Sequence, residues 1–153
     1  MSERELEPLH TSCHFDVPPE AIFDAWINPA IIRKWLFAGP GSEITNVEVD
    51  LKEGGSYSII ELESSSGESI EHFGKYQEIE EPLQLVLTLN VPKQFPGESI
   101  VTIHIFPTLN GCELKLTQAG ASNNSPGKSW ADMLHALKHL VEEKARNREE
   151  ETR

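Results

Sequence analysis

The stretch SPGKSWADMLHALKHLVEEKAR, residues 125–146, decides how the rest of the chain is read. Trp130, Met133, Leu134, Leu137, Leu140 and Val141 recur at helical spacing and form one apolar stripe. Lys128, Asp132, His135, Lys138, His139 and Glu142 fall on the other side. A long amphipathic helix needs a surface on which to bury its stripe. Nearly everything before it has the two-residue period of strands, so the chain reads as a curved sheet built to hold this helix. The helix has two candidate starts. One is Ser125 with Pro126 as first helical residue; the other is Ser129 with Asp132 three places on, a capping-box-like pair. After Lys144 the sequence is charged with little apolar content, and the helix is expected to fray there.

A chain of 153 residues suits one domain with one core. That domain is expected over residues 9–146, with 1–8 and 147–153 as flexible tails. The net charge of −12 argues against a nucleic-acid partner, which needs Lys and Arg against phosphate, and equally against an anionic membrane surface. MSERELEPLH lacks the apolar run of a secretion signal, and no segment is apolar enough to span a bilayer, so a cytoplasmic location is expected. Cys13 and Cys112 are too few for a disulfide scaffold or a zinc site and are expected as buried free thiols.

Working back from the helix, the strands can be read one by one. Leu9 to Asp16 alternates, with Leu9, Thr11, Cys13 and Phe15 on one face and His10, Ser12, His14 and Asp16 outward. Pro18-Pro19 opens a short helix bearing Ile22, Phe23 and Trp26. Asn28 caps a second, with Pro29 first and Ile31, Ile32 and Trp35 buried. From Glu43 the period returns to two. Residues 43–51 carry Val47, Val49 and Leu51 on one face. Further strands are expected over about 57–62, 68–79, 84–91, 99–106 and 112–119, joined by short turns into an antiparallel meander. The fold class is α+β: a seven-stranded antiparallel sheet wrapped on a long C-terminal helix, with two short helices between strands 1 and 2.

One helix about 10–12 Å wide cannot fill the concavity of such a sheet. Large side chains must fill the remainder, or a cavity stays. Its candidate walls are Trp35, Tyr57, Ile59, Phe73, Tyr76, Leu85, Leu87, Leu89, Ile103, Trp130, Leu134 and Leu137. Parity adds two polar groups. If Tyr57 and Ile59 face inward, so does Glu61; if Gly74 and Tyr76 do, so does His72. Polar groups in an apolar cleft are costly unless paired, and they are also what ligand sites contain.

Several stretches together resemble a known family. FDVPPEAIFDAWINPAIIRKW (residues 15–35), VEVDLKEGGSYSI (47–59), FGKYQEIEEPLQLVLT (73–88) and the Ser129-Trp130 opening of the last helix are similar, in order and spacing, to proteins like the activator of the heat-shock protein 90 ATPase. That family lies within the lipid-transfer-like and pollen-allergen-like helix-grip domains. The resemblance implies a sheet gripping the last helix with a cavity between them, and it raises a chaperone as a partner.

Other chemistry finds little support. His135 and His139 stand at i and i+4, but HALKH lacks the glutamate of HExxH and both lie on the polar face, so no metal is expected. His10, His14 and His104 fall on outward positions. No GxSxG or phosphate-binding loop occurs. The leading expectation is a monomer or homodimer that binds a small, largely hydrophobic molecule without catalysis or cofactor. The alternatives are a co-chaperone-like interaction protein and a cyclase- or hydrolase-type enzyme using Glu61 and His72 as acid and base.

Overall fold

The computed structural model describes residues 9–39, 41–94, 96–120 and 129–151, with side chains as far as residue 143. Residues 1–8 and the candidate helix start at Ser125 lie outside the described residues. In chain order the elements are β1 (Leu9–Phe15), α1 (Pro19–Ile27), α2 (Pro29–Trp35), β2 (Ser42–Val49), β3 (Ser56–Glu63), β4 (Ser69–Glu80), β5 (Gln84–Asn90), β6 (Glu98–Thr108), β7 (Gly111–Ala119) and α3 (Trp130–Glu151). The strands form a seven-stranded antiparallel sheet in the order β1-β7-β6-β5-β4-β3-β2. The sheet curls into a half-barrel, and the fold is the helix-grip arrangement. β1 and β2 are its two edges, and α1 and α2 carry the chain from one to the other.

Local chemistry sets the helix starts. The Asn28 side chain accepts the Ala30 N–H at 3.0 Å, and Pro29 occupies the first turn, where its missing N–H costs nothing. Ser129 is the start of the last helix: its Oγ accepts the Asp132 N–H at 3.1 Å. At the other end, α3 does not stop where its apolar content does but continues to Glu151. Ala, Arg and Glu are good helix formers, so propensity extends the helix past its buried stripe.

Two bulges shift the strand parity. Register slips between Ile44 and Asn46 on β2 and between Tyr76 and Glu78 on β4. On β2 the inward residues therefore change from Ile44 to Val47 and Val49, and the strand ends before Leu51. Leu51 was expected on the inner face but is 38% exposed.

Before the second irregularity, at Gly74, β4 and β5 come close. A Cβ on Gly74 would fall inside the contact radius of the Thr88 carbonyl oxygen and 2.6 Å from the carbonyl carbon. The Thr88 side chain takes the Lys75 N–H at 2.8 Å, and the Thr88 carbonyl accepts the Tyr57 hydroxyl at 2.6 Å. Gly74→Ala is therefore expected to force the strands apart and cost about 1–3 kcal/mol, measured by urea unfolding. A neutral result would mean that β5 moves away freely.

The α3 stripe is buried at Trp130, Met133, Leu134 and Leu137 and half-buried at Leu140 and Val141. Lys138 and Glu142, on the side away from the apolar stripe, tie the helix to the end of β1. Glu142 accepts the Asp16 N–H at 3.0 Å and the Lys138 ammonium at 2.9 Å, and Lys138 also donates to the His14 carbonyl at 2.7 Å. Partial burial alone would raise the Glu142 pKa, but its hydrogen bonds to Asp16 and Lys138 outweigh that and hold it below the usual carboxylate value. A depressed carboxylate contributes stability that is present above its unfolded pKa and lost as pH falls through the folded one. Glu142→Gln should therefore cost about 0.5–1 kcal/mol at neutral pH and nothing at pH below the carboxylate range, by thermal melts across pH.

Cys112 is buried, whereas Cys13, also expected to be buried, is only half-buried because it sits on the edge strand β1. Burial, with Glu20 and Cys13 nearby, pushes the Cys112 thiol up to about 11, which keeps it protonated and inert.

Candidate ligand-binding site

The inner face of the half-barrel is occupied by aromatic side chains drawn from three helices and the sheet. α1 supplies Trp26 and α2 supplies Trp35, whose rings meet edge to face at 4.8 Å. Trp130, in the first turn of α3, lies 6.0 Å from Trp26 and 5.7 Å from Phe37. Phe37, just past α2, stacks on His72 of β4 with centroids 3.9 Å apart and planes 9° from parallel. Its backbone is left-handed, φ +61°, which an aromatic residue rarely adopts and which costs about 1–3 kcal/mol. The Phe37 N–H packs on Met133 Sδ at 3.3 Å, so α3 holds this residue over the histidine.

Under Phe37 lies the polar pair expected from strand parity. Glu61 and His72 are 1% and 3% exposed, and His72 Nε2 is 3.0 Å from Glu61 Oε1. Cross-strand register explains the meeting: Ile59 faces His72 and Glu61 faces Ile70, so the two are diagonal neighbours on the inner face.

Sequence reasoning left open whether large side chains fill the concavity, and much of it is filled by buried core residues. Among the described residues a cavity of about 20 Å³ lies there, enough for one water. Of the expected wall residues, Tyr57, Ile59, Tyr76, Leu87 and Trp130 border it. Trp35, Leu85, Leu89, Ile103, Leu134 and Leu137 are buried core instead. Trp35 is fixed there by its indole N–H on the Ala25 carbonyl at 3.0 Å. Glu61 and His72 lie inward but do not border the cavity, because Phe37 covers the histidine.

Phe73 is a correction: with His72, Gly74 and Tyr76 inward, parity sends Phe73 to the outer face, where it is half-buried beside Ser58 and Asn90. Sequence reasoning missed Trp26, Phe37, Ile32, Leu36 and Val49 as cavity residues. Trp26 was visible as an apolar helix position, but its reach across to Trp130 was not.

Phe73 instead borders an open groove of about 1040 Å³ with Glu48, Asp50, Ser58, Glu71, Lys75 and Glu98. The groove is larger than the inner cavity but polar and open, and it belongs mainly to the outer face of the sheet. Val49, Tyr57 and Tyr76 border both spaces and divide them. Burial raises the Tyr57 phenol well above its ordinary pKa, aided by Tyr76 and Glu98, and burial likewise raises that of Tyr76. Both rings present neutral walls.

His135 and His139 have Nε2 atoms 3.2 Å apart on the exposed face of α3. Among the described residues no group of three or more metal-ligating side chains forms, and no helix is long and apolar enough to cross a membrane.

Residues 16–142 match the sequence pattern of the family described as Activator of Hsp90 ATPase homolog 1-like protein. The chain belongs to this family. Its structure is similar to that of a protein from Chromobacterium violaceum, at 27% identity and TM-score 0.79, covering 88% of this chain and 96% of the other. A protein from Rhodobacter sphaeroides follows at 24% identity and TM-score 0.77, covering 90% and 92%. The AHSA1-like protein from Aeromonas hydrophila, at 20% identity and TM-score 0.78, covers 91% and 94%. No curated protein matches the chain. The family supports a ligand-binding or co-chaperone-type domain.

Proposed function

We propose that this Activator of Hsp90 ATPase homolog 1-like domain binds a small, largely apolar, ring-containing molecule between its sheet and α3. The observation that carries the reading is the set of aromatic side chains, Trp26, Phe37, Tyr57, Tyr76 and Trp130, placed around the inner cavity. Flat apolar walls favour flat apolar guests through area burial and offset stacking. At about 20 Å³ the cavity must widen to admit one. Phe37 and Trp130 are the side chains to move, since Phe37 already sits in a strained backbone conformation. Native mass spectrometry of the purified protein, with a titration of 2-acetylnaphthalene followed by tryptophan fluorescence, tests the reading. A retained small molecule or saturable quenching is expected. Neither co-purified species nor quenching at the probe's solubility limit would end it.

The buried Glu61–His72 pair favours a second reading, an acid–base enzyme of cyclase or hydrolase type. It requires Phe37 to leave the face of His72 when a guest enters. Unchanged His72 ring resonances in the probe-saturated protein would remove it. The family's name supports a third, interaction with a chaperone, for which a pull-down and an ATPase assay are decisive.

A further inference from the structure

The three tryptophans of the chain all meet inside the half-barrel, and their indole N–H groups are treated differently. Trp35 donates to the Ala25 carbonyl at 3.0 Å. Trp130 donates to Gln118 Oε1 at 2.8 Å; Gln118 in turn donates to Ser99 Oγ at 3.0 Å, and Ser99 to the Leu89 carbonyl at 3.3 Å. Trp26 is as buried as the other two, 3% exposed, yet its Nε1 meets no acceptor among the described residues. It also borders the inner cavity. A buried donor left without an acceptor is costly, so native interiors rarely keep one unless water or a ligand supplies the partner.

We infer that Trp26 Nε1 is the polar reading group of the cavity, and that the preferred ligand carries a hydrogen-bond acceptor, a carbonyl or ether oxygen, on a flat apolar body. This inference rests on the pocket reading above and sharpens it. Two other polar groups at the cavity wall are already engaged: the Tyr57 hydroxyl is spent on the Thr88 carbonyl, and the Trp130 N–H on Gln118. The cavity's volume suits one water, which would satisfy Trp26 in the unliganded protein. A ligand oxygen replaces that water and keeps the hydrogen bond. A hydrocarbon of the same shape expels the water and leaves the N–H bare, and it loses affinity accordingly. Selection among flat apolar molecules therefore falls on the oxygen rather than on the ring.

Two probes of matched shape test this, 2-acetylnaphthalene and 2-ethylnaphthalene, titrated into wild-type protein and Trp26→Phe. The wild type should prefer the acetyl probe by roughly tenfold, the factor that a lost buried hydrogen bond commands. Trp26→Phe should bind both within about twofold of each other, the ethyl probe being little changed. The Trp26 indole proton resonance of the wild type should shift downfield with the acetyl probe and not with the ethyl probe, a readout that needs no variant to fold. Equal affinities of the wild type for both probes, with an unmoved Trp26 resonance, would overturn the role of Trp26 and leave the pocket standing. Binding of neither probe would overturn the pocket itself.

Discussion

Glu61→Ala is expected to destabilise the protein by about 3–5 kcal/mol, the cost of removing one partner from a buried polar pair. Glu61 and His72 are both almost fully shielded and 3.0 Å apart, with the Phe37 ring laid over the imidazole. Removing the carboxylate leaves the histidine to be desolvated without its nearest acceptor, in a place that water reaches only if Phe37 moves. The same physics predicts a partial rescue. Replacing both together, Glu61→Met with His72→Phe, keeps the volume apolar and should recover most of the loss. Urea unfolding of Glu61→Met, His72→Phe and the double variant gives the cycle. A single-variant cost below about 1 kcal/mol would show that the pair contributes no more than an exposed one does.

Trp130→Ala should cost a similar amount, about 3–5 kcal/mol, for an aromatic side chain truncated in the core. Trp130 is 8% exposed and touches Trp26, Phe37 and Gln118. Because it borders the cavity, truncation should join its vacated volume to the existing space. Free indole should then occupy the hole and raise the melting temperature of Trp130→Ala by several degrees at saturation. Val141→Ala lies farther along α3 at a half-buried position and should lose only about 1 kcal/mol, with no response to indole. An equal indole response in the two variants would mean that the first and later turns of α3 do not differ in their access to the cavity.

The strands, the meander from β2 to β7 and both short helices were legible because alternation and turn residues are local signals; the pairing of β1 with β7 is a long-range contact that no local signal marks. Asn28-Pro29 and Ser129 fix their helix starts with their own side chains. The inward direction of Glu61 and His72 followed from parity on β3 and β4, and their meeting followed from register, which sequence did not supply. Leu51 was misplaced because β2 ends at Val49, two residues short of it. Phe73 was misplaced because alternation along β4, not aromatic character, sets its face: with His72 inward it points outward. The extent of the cavity was not legible, for a different reason. Curvature implies empty space, but how far Trp26, Phe37 and Trp130 reach into it depends on side-chain rotamers and on one left-handed backbone at Phe37. Those are tertiary outcomes with no local pattern.

The most direct test of a ligand site between sheet and helix is a crystal structure of the protein grown with 2-acetylnaphthalene. The prediction is density among Trp26, Phe37 and Trp130, with the probe oxygen within hydrogen-bond distance of Trp26 Nε1 and the cavity widened beyond its present 20 Å³ or so. Density confined to the outer groove beside Phe73, with the aromatic side chains closed as they are now, would contradict it.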